Sequence, residues 1–373
     1  MHRVLHILPA FDIGGAERAL ARLVAGGLAG AFENHIVSLR GDGPMHAQFI
    51  AAGAVVHLLG KSGNASLPFE LAALGRRIRP GVVQGWMYHA NLAATVLAPV
   101  LGPAATLWNI RQSLDDLSGD KFLTRQMIRA GARLSGLPAR IVYNSARSAR
   151  QHEAFGYRPD HTLVIPNGFE TGSVTPDPRM GEEYRRRYGI GQQAPLFVHA
   201  ARYHPMKDHA LFVAAGNRVL DTIPDAQFVM MGRGVDAEAD ELLAQVPHGR
   251  RGHFRMLGEQ GDVVPFLQAA DALVVSSRRA EGFPNVIGEA MMAATPVIAT
   301  DTGDCADIVG AGGDIVPVRD AAALAAVMAS YARDRDLAAR KGRDGRARVE
   351  TVFTIERAAA SYAALYRSFL SGV

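Results

Sequence analysis

Two glutamates, Glu281 and Glu289, bracket the segment EGFPNVIGE, where a loop passes into a helix. Pro284 suits a first helical turn, because its ring fixes φ at a helical value and its missing N–H would have no partner there. The pattern then predicts a helix over Asn285–Ala294. The free N–H groups and positive dipole end of such a helix form a seat for an anion. Carboxylates repel phosphate, so two of them facing one ligand must accept hydrogen bonds from its neutral, hydroxyl-rich parts. Gly282, Phe283, Pro284 and Asn285 then present the helix start to the anionic centre. A nucleoside diphosphate sugar carries both parts. A glutamate pair at this spacing, taken alone, is more often two solvent-facing residues, so the reading depends on the rest of the chain.

Six further segments occur in order around that pair: FDIGGAERAL (Phe11–Leu20), WMYHAN (Trp86–Asn91), IPNGFE (Ile165–Glu170), ARYHPMKDH (Ala201–His209), FVMMGRG (Phe228–Gly234) and TPVIATDTGD (Thr295–Asp304). On these motifs the chain resembles glycosyltransferase family 4, a retaining family in which such a Glu-x7-Glu element marks the donor site. The resemblance covers nearly the whole chain. It implies the α/β GT-B fold, two facing Rossmann-like domains with a cleft between them and a C-terminal helix crossing back to the first domain. It also implies that Arg202 and Lys207 grip the donor diphosphate. That role has a physical basis: the leaving diphosphate gains negative charge as the glycosidic bond breaks, and fixed cations beside it favour the transition state. They would do the work of a metal ion. His89 matches a position where many members place a histidine or aspartate close to the transferred sugar; a lone histidine after a strand is otherwise more often structural.

Gly14 and Gly15 fall where a first strand should end and a helix over Ala16–Leu28 begin, so the backbone there can approach a phosphate closely. Glu17 would support the helix's first turn through the dipole and has no catalytic role in this reading. Gly232 opens Gly232-Arg233-Gly234-Val235-Asp236-Ala237, which also fits the dinucleotide fingerprint G-x-G-x-x-G/A and raises an NAD-dependent oxidoreductase as an alternative. That alternative leaves the glutamate pair idle and has only Glu259 as a late ribose-binding acid, so the loop is read as lining the nucleotide pocket. A glycoside hydrolase using the two glutamates would not need the Arg202/Lys207 clamp. A catalytically inactive binding partner of the same fold is countered by the intact Glu281, Glu289, Arg202 and Lys207.

Elements able to position these residues are legible from periodicity. Short apolar runs at Val4–Leu8, Asn34–Leu39, Ala54–Leu58, Val82–Trp86, Leu107–Ile110, Arg140–Asn144 and Thr162–Ile165 alternate with helical patterns, the signature of parallel β/α winding. A second series follows at Leu196–Ala200, Gln227–Met231, Phe254–Leu257, Ala272–Ser276 and Pro296–Thr300. Between them, Thr171–Tyr188 is rich in proline, arginine and acidic residues. The expected domains are 1–167, acceptor-side, joined by a C-terminal helix at about 355–373, and 168–354, donor-binding. In open parallel sheets ligands gather outside the carboxyl ends of the strands. Gly14, His89, Lys207 and Gly232 each follow a strand and meet that rule.

The 373 residues suit two domains of ordinary size. With 48% hydrophobic and 20% charged residues the chain reads as globular. Only Lys61, Lys121, Lys207 and Lys341 are lysines among 40 basic residues, so a lysine inside a candidate phosphate motif stands out. A single cysteine, Cys305, excludes an internal disulfide and fits a reducing compartment. The run MHRVLHILPAF is too short for a signal-peptide core. Asn91–Ile110 is long and apolar, but Pro99, Gly102 and Pro103 make it a helix, a turn and a strand rather than a membrane span. Asp334-Arg335-Asp336 reads as charged surface, and no metal site or cofactor is expected. The expected function is transfer of a sugar from a UDP- or GDP-linked donor to a hydroxyl of a glycan or polyprenyl-linked glycan, as in assembly of exopolysaccharide, O-antigen or capsule. No nucleic-acid partner is expected, and the expected site is the cytoplasm, peripheral on the inner face of the membrane.

That last expectation rests on Lys121, Arg125, Arg129 and Arg133, which recur every four residues beside Phe122, Ile128 and Leu134. Such a stripe suits an anionic lipid surface, as well as a plain solvated helix face. Charge reversal at Arg125 and Arg129 should weaken sedimentation with phosphatidylglycerol-containing vesicles, and equal binding would reject lipid docking.

Overall fold

The structure, a computed structural model, describes residues 1–59, 66–100, 104–114, 117, 122–236, 240–279 and 281–370. The chain forms two units: residues 1–170 with 353–373, and residues 171–352. In the first, strands β1 (Arg3–Leu8), β2 (Glu33–Ser38), β3 (Val55–Leu58), β4 (Val82–Trp86), β5 (Ala105–Ile110), β6 (Arg140–Tyr143) and β7 (Thr162–Val164) make one parallel sheet in the order β3-β2-β1-β4-β5-β6-β7. In the second, β8 (Leu196–Ala200), β9 (Gln227–Met231), β10 (Phe254–Met256), β11 (Ala272–Val275), β12 (Val297–Thr300) and β13 (Gly313–Val316) run parallel in the order β10-β9-β8-β11-β12-β13. Both are doubly wound, and the order reverses between β1 and β4 in one sheet and between β8 and β11 in the other. A parallel sheet covered by helices on both faces needs strands that are apolar throughout, which is why these runs read as continuous rather than alternating. Each strand departs from its expected bounds by at most two residues, but β13 was not anticipated. Its sequence, GDIV, is short and carries Asp314, whose carboxylate meets Tyr331 and Lys341.

The helix expected over Ala16–Leu28 is two pieces. A regular helix covers Gly15–Leu23, and a wider turn follows at Val24–Leu28 with Gly27 at φ 145°. The cause is packing, since a Cβ on Gly26 would lie 2.4 Å from Ile355 at the start of the helix Ile355–Leu370. That last helix lies on the first unit's sheet, filling its core with Ile355, Tyr362, Tyr366 and Leu370. The unit boundary falls at 170/171 rather than 167/168, because Phe169 N donates to Phe353 O and Ile355 N donates to Phe169 O, each at 2.9 Å. The described residues of Asn91–Ile110 form the end of the helix Met87–Leu97, a tight turn at Ala98–Val100 and β5, and Gly102 and Pro103 lie outside the described residues. Among the described residues no helix is long and apolar enough to cross a membrane.

Of the basic stripe, Lys121 lies outside the described residues. Arg125 is partly buried on the helix Phe122–Leu134, so the exposed cations are Arg129 and Arg133. Phe122, Leu123 and Leu137 are exposed near them.

His6 and His152 are buried neutral in the first unit. His6 donates from Nε2 to Asn34 Oδ1 at 3.1 Å and accepts at Nδ1 from Trp86 Nε1 at 3.3 Å, so a second proton would face an N–H. His152 donates from Nδ1 to the Ser148 carbonyl at 2.8 Å and takes the Tyr88 hydroxyl at Nε2 at 2.9 Å. Burial lowers both from 6.5 to about 4. The unfolded chain therefore binds protons first, and stability present above 6.5 is lost as pH falls toward 4. Trp86 and Trp108 both lie in this unit, so urea unfolding followed by tryptophan fluorescence reports on it. It should lose about 2 kcal/mol per histidine between pH 7 and pH 5. In His152→Gln the loss should shrink; an identical pH dependence in the variant would refute the assignment.

Candidate active site

At the reversal point of the second sheet, the loop after β8 and the loop after β11 are stitched together. The first carries a tight turn, Pro205–Lys207, capped by His204, whose Nδ1 accepts from Met206 N at 3.2 Å. It is followed by Asp208 in the left-handed region at φ 48°, a conformation that only surrounding contacts hold in a residue other than glycine. Ser276 and Arg278 supply those contacts. The Ser276 hydroxyl lies 2.9 Å from the Lys207 carbonyl and 3.0 Å from that of Asp208, and it accepts from His199 Nε2 at 2.9 Å. Arg278 N donates to Met206 O at 2.9 Å, while its guanidinium forks onto Asp208 at 3.0 and 3.2 Å. Beneath the loop, burial holds His199 well below its ordinary value and brings His209 down to about 4, so two neutral imidazoles underlie the lysine.

Lys207 and Glu281, far apart in sequence, meet here: the ammonium contacts Glu281 Oε1 directly. Ser277 Oγ donates to the same oxygen at 2.5 Å. Glu281 is buried, and burying a carboxylate is costly unless it is hydrogen-bonded and paired as here. From β12, Thr300 Oγ1 donates to the Ser277 carbonyl. Gly303, at φ 53°, passes so close that a Cβ would sit 1.5 Å from the Glu281 carbonyl oxygen. Asp304 N donates to Gly282 O at 3.3 Å. The segment TPVIATDTGD thus serves as a bed for the glutamate loop. Burial, with the Glu281 charge next, pushes the Cys305 thiol up to about 12, which makes it an inert core residue.

Gly282, Phe283 and Pro284 are buried behind Glu281, and the helix begins at Asn285. Pro284 is the residue preceding the helix, with extended backbone at ψ 111°, rather than a member of its first turn. The helix ends at Met292 instead of Ala294, because Ala294 turns left-handed at φ 56° to bring the chain into β12. Glu289 lies on it, partly buried. Arg202 is exposed next to the Lys207 turn. Its backbone is fixed by Gly232, where φ is 139° and a Cβ would meet Ala201 O at 2.1 Å and Arg202 N at 2.8 Å. Gly232 is therefore required by the approach of two loops; the next described helix is Asp240–Ala244, and Ala237 lies outside the described residues. On the outer flank of the Lys207 turn a cavity of about 180 Å³ is lined by Tyr203, His204, Asp208, His209, Leu242 and Arg278.

The first unit holds the other candidates at its own reversal point. Met87, at φ 67°, turns β4 directly into the helix Met87–Leu97, so His89 sits on a helix's first turn rather than in a loop. Burial and the Arg40 charge hold its imidazole below the ordinary value, in the neutral form. Gly14 precedes the helix Gly15–Leu23 with extended backbone, and Glu17 folds back over it, its Oε2 2.3 Å from where a Gly14 Cβ would be. Glu17 itself occupies the anion seat of that helix, and burial raises its carboxyl above the usual range. Arg111, unremarked in the sequence, spans this end of the sheet: its guanidinium donates to Asn167 Oδ1 and lies 5.5 Å from the Trp86 ring centroid. Ser276, Ser277 and Arg278 were likewise missed, although SSR between a strand and Glu281 is an available signal. Among the described residues no group of three or more histidine, cysteine or carboxylate side chains is placed to hold a metal.

Comparison with known proteins agrees in both units. The family described as Glycosyltransferase Family 4 matches residues 13–173, and that described as Glycosyl transferases group 1 matches residues 194–334. D-inositol 3-phosphate glycosyltransferase of Geodermatophilus obscurus is 29% identical over 76% of this chain, which spans 63% of that relative's length. The lipopolysaccharide core biosynthesis mannosyltransferase LpsB of Rhizobium meliloti is 26% identical over 72% of this chain and 81% of its own. The Anabaena protein Alr3699/HepE, solved in complex with UDP, superposes with a TM-score of 0.86 at 18% identity, covering 99% of this chain and 100% of that one; a UDP-glucose complex of it gives 0.84. With matching family profiles on both doubly wound units, the chain belongs to glycosyltransferase family 4, and the full-length structural match gives it the GT-B fold.

Proposed function

We propose that this chain transfers a hexosyl group, with retention at the anomeric carbon, from a UDP- or GDP-linked donor to a hydroxyl of a glycan or polyprenyl-linked glycan. The observation that carries the reading is the Lys207–Glu281 contact at the reversal point between β8 and β11, where a doubly wound sheet gathers its ligands. Glu289 holds the nucleotide ribose and Glu281 the hydroxyls of the donor sugar. Arg202, Lys207 and the helix start at Asn285 hold the diphosphate. The acceptor oxygen bonds to the anomeric carbon as the bond from that carbon to the phosphate oxygen breaks. The departing diphosphate takes the acceptor proton, and the cations stabilise the charge it gains. Neutral His89 bonds a sugar hydroxyl. No metal or cofactor is assigned, since Arg202 and Lys207 supply the positive charge and the sugar nucleotide is a substrate.

The complexes of the Anabaena protein with UDP and UDP-glucose support a nucleotide-sugar donor, and the names of the curated relatives support an acceptor of glycan or lipid-linked type. A peripheral seat on the inner face of the cytoplasmic membrane is supported by exposed Phe122, Leu123 and Leu137 beside Arg129 and Arg133.

Melting temperatures with saturating UDP, GDP, ADP or NAD test the donor site without an acceptor, since a ligand that prefers the native state stabilises it. A rise with UDP or GDP that shrinks in Lys207→Ala is the expected outcome; stabilisation by NAD alone would overturn the reading. Once a donor and acceptor are in hand, Lys207→Ala should lose about 100-fold or more in kcat, as when one preorganised charge-stabilising donor is removed. Ser276→Ala should lower kcat more than it lowers the melting temperature would suggest, because the hydroxyl orients the Lys207 turn rather than filling a core. A variant with unchanged kcat would remove Ser276 from that role.

A further inference from the structure

The assigned roles of Lys207 and Glu281 pull against each other: one residue is to hold a diphosphate, yet its ammonium rests on the carboxylate of the other. An ammonium has three N–H donors and can touch a carboxylate and a phosphate together, but its charge is then shared, and a phosphate meets a nearly neutral pair. Glu281 cannot swing away into water. It is buried, Ser277 holds the same Oε1 at 2.5 Å, and Gly303 presses on its backbone. Its hold on Lys207 changes only with what else bonds the carboxylate.

We infer that Glu281 makes the site favour the intact sugar donor over the spent diphosphate, by competing with the diphosphate for the Lys207 ammonium. This rests on the donor-site reading above. A sugar hydroxyl donating to Glu281 draws the carboxylate's electron density toward itself and frees the lysine's charge for the phosphate. After transfer, with no sugar hydroxyl at the carboxylate, more of its charge bears on Lys207 and the diphosphate is held less firmly. The donor sugar thus contributes through its own hydrogen bonds and again by releasing Lys207. Binding energy realised only with the sugar in place is the kind that raises turnover rather than trapping product.

Equilibrium binding of UDP, GDP, UDP-glucose and GDP-mannose to wild type, Glu281→Gln, Lys207→Met and the double variant tests the competition. Glu281→Gln should bind the free diphosphate about tenfold more tightly than wild type and the sugar-linked form no more tightly, so that the preference for donor over product collapses. In the Lys207→Met background the same change should alter diphosphate affinity less than about twofold, since the contested ammonium is gone. Glu281→Asp, which keeps the charge but draws it back from Lys207, should give a smaller gain in the same direction and serves if the glutamine variant is unstable. Unchanged diphosphate affinity in both Glu281 variants, or a gain that persists without Lys207, overturns the inference. A wild type that binds none of the four compounds overturns the donor-site reading itself.

Discussion

The second unit is organised around one unfavourable placement: a carboxylate and an ammonium brought together where little water reaches the acid. An isolated buried charge would shed or gain its proton, so the pair persists only because the structure surrounds it with directed partners. Those partners come from three successive strand ends. The loop after β8 brings the lysine, with Asp208 held in an unusual conformation behind it; the loop after β11 brings Ser276, Ser277, Arg278 and Glu281; and the end of β12 with its following loop brings Thr300 and Gly303 as a floor. Each loop is held by the next through backbone as well as side-chain hydrogen bonds, such as Arg278 N to Met206 O. Glu281 is consequently a rigid acceptor, and a ligand meets it in a fixed place.

Much of this architecture is legible in the sequence, and the reasons it is legible also mark where reading fails. Parallel strands buried on both faces appear as uninterrupted apolar runs, so twelve of the thirteen were placed by composition alone, with ends off by a residue or two. The exception, β13, is an edge strand of mixed character whose aspartate is satisfied by Tyr331 and Lys341, partners contributed by tertiary structure. The long first helix was overextended for a similar reason. Nothing local announces that Ile355, more than three hundred residues later, will sit against Gly26 and force a wider turn. Within the site, charged residues were visible because their type is chemically conspicuous. The two serines and the arginine that hold them were not, because serine after a strand is ordinary and its hydrogen-bond partner cannot be read from its neighbours.

Glycine illustrates the same limit. The sequence suggested that Gly14 and Gly15 are small so that a ligand can approach, and that Gly232 opens a loop lining the nucleotide pocket. In the structure Gly232 is small because another stretch of the protein's own backbone is there, and the helix start after Gly14 is answered by the Glu17 side chain. Gly303, which the sequence offered only as part of a motif, has the strictest requirement of all, lying against Glu281. At Gly232 the close approach is made by the protein's own backbone.

The pairing of Phe169 with the segment around Thr354 bears on how the chain comes to be folded at all. Residues 171–352 leave and re-enter the first unit at adjacent points, so that unit is an insertion within a host whose last helix is made after the insertion is complete. During synthesis the inserted unit has all of its strands before the host has its final layer. Until the helix Ile355–Leu370 emerges, Gln84 lacks the Tyr366 hydroxyl, Asn109 lacks that of Tyr362, and the apolar face over β1 and β4 is uncovered. The N-terminal half of the protein is thus made first and finished last, and it is the half that a ribosome-associated chaperone has most reason to hold.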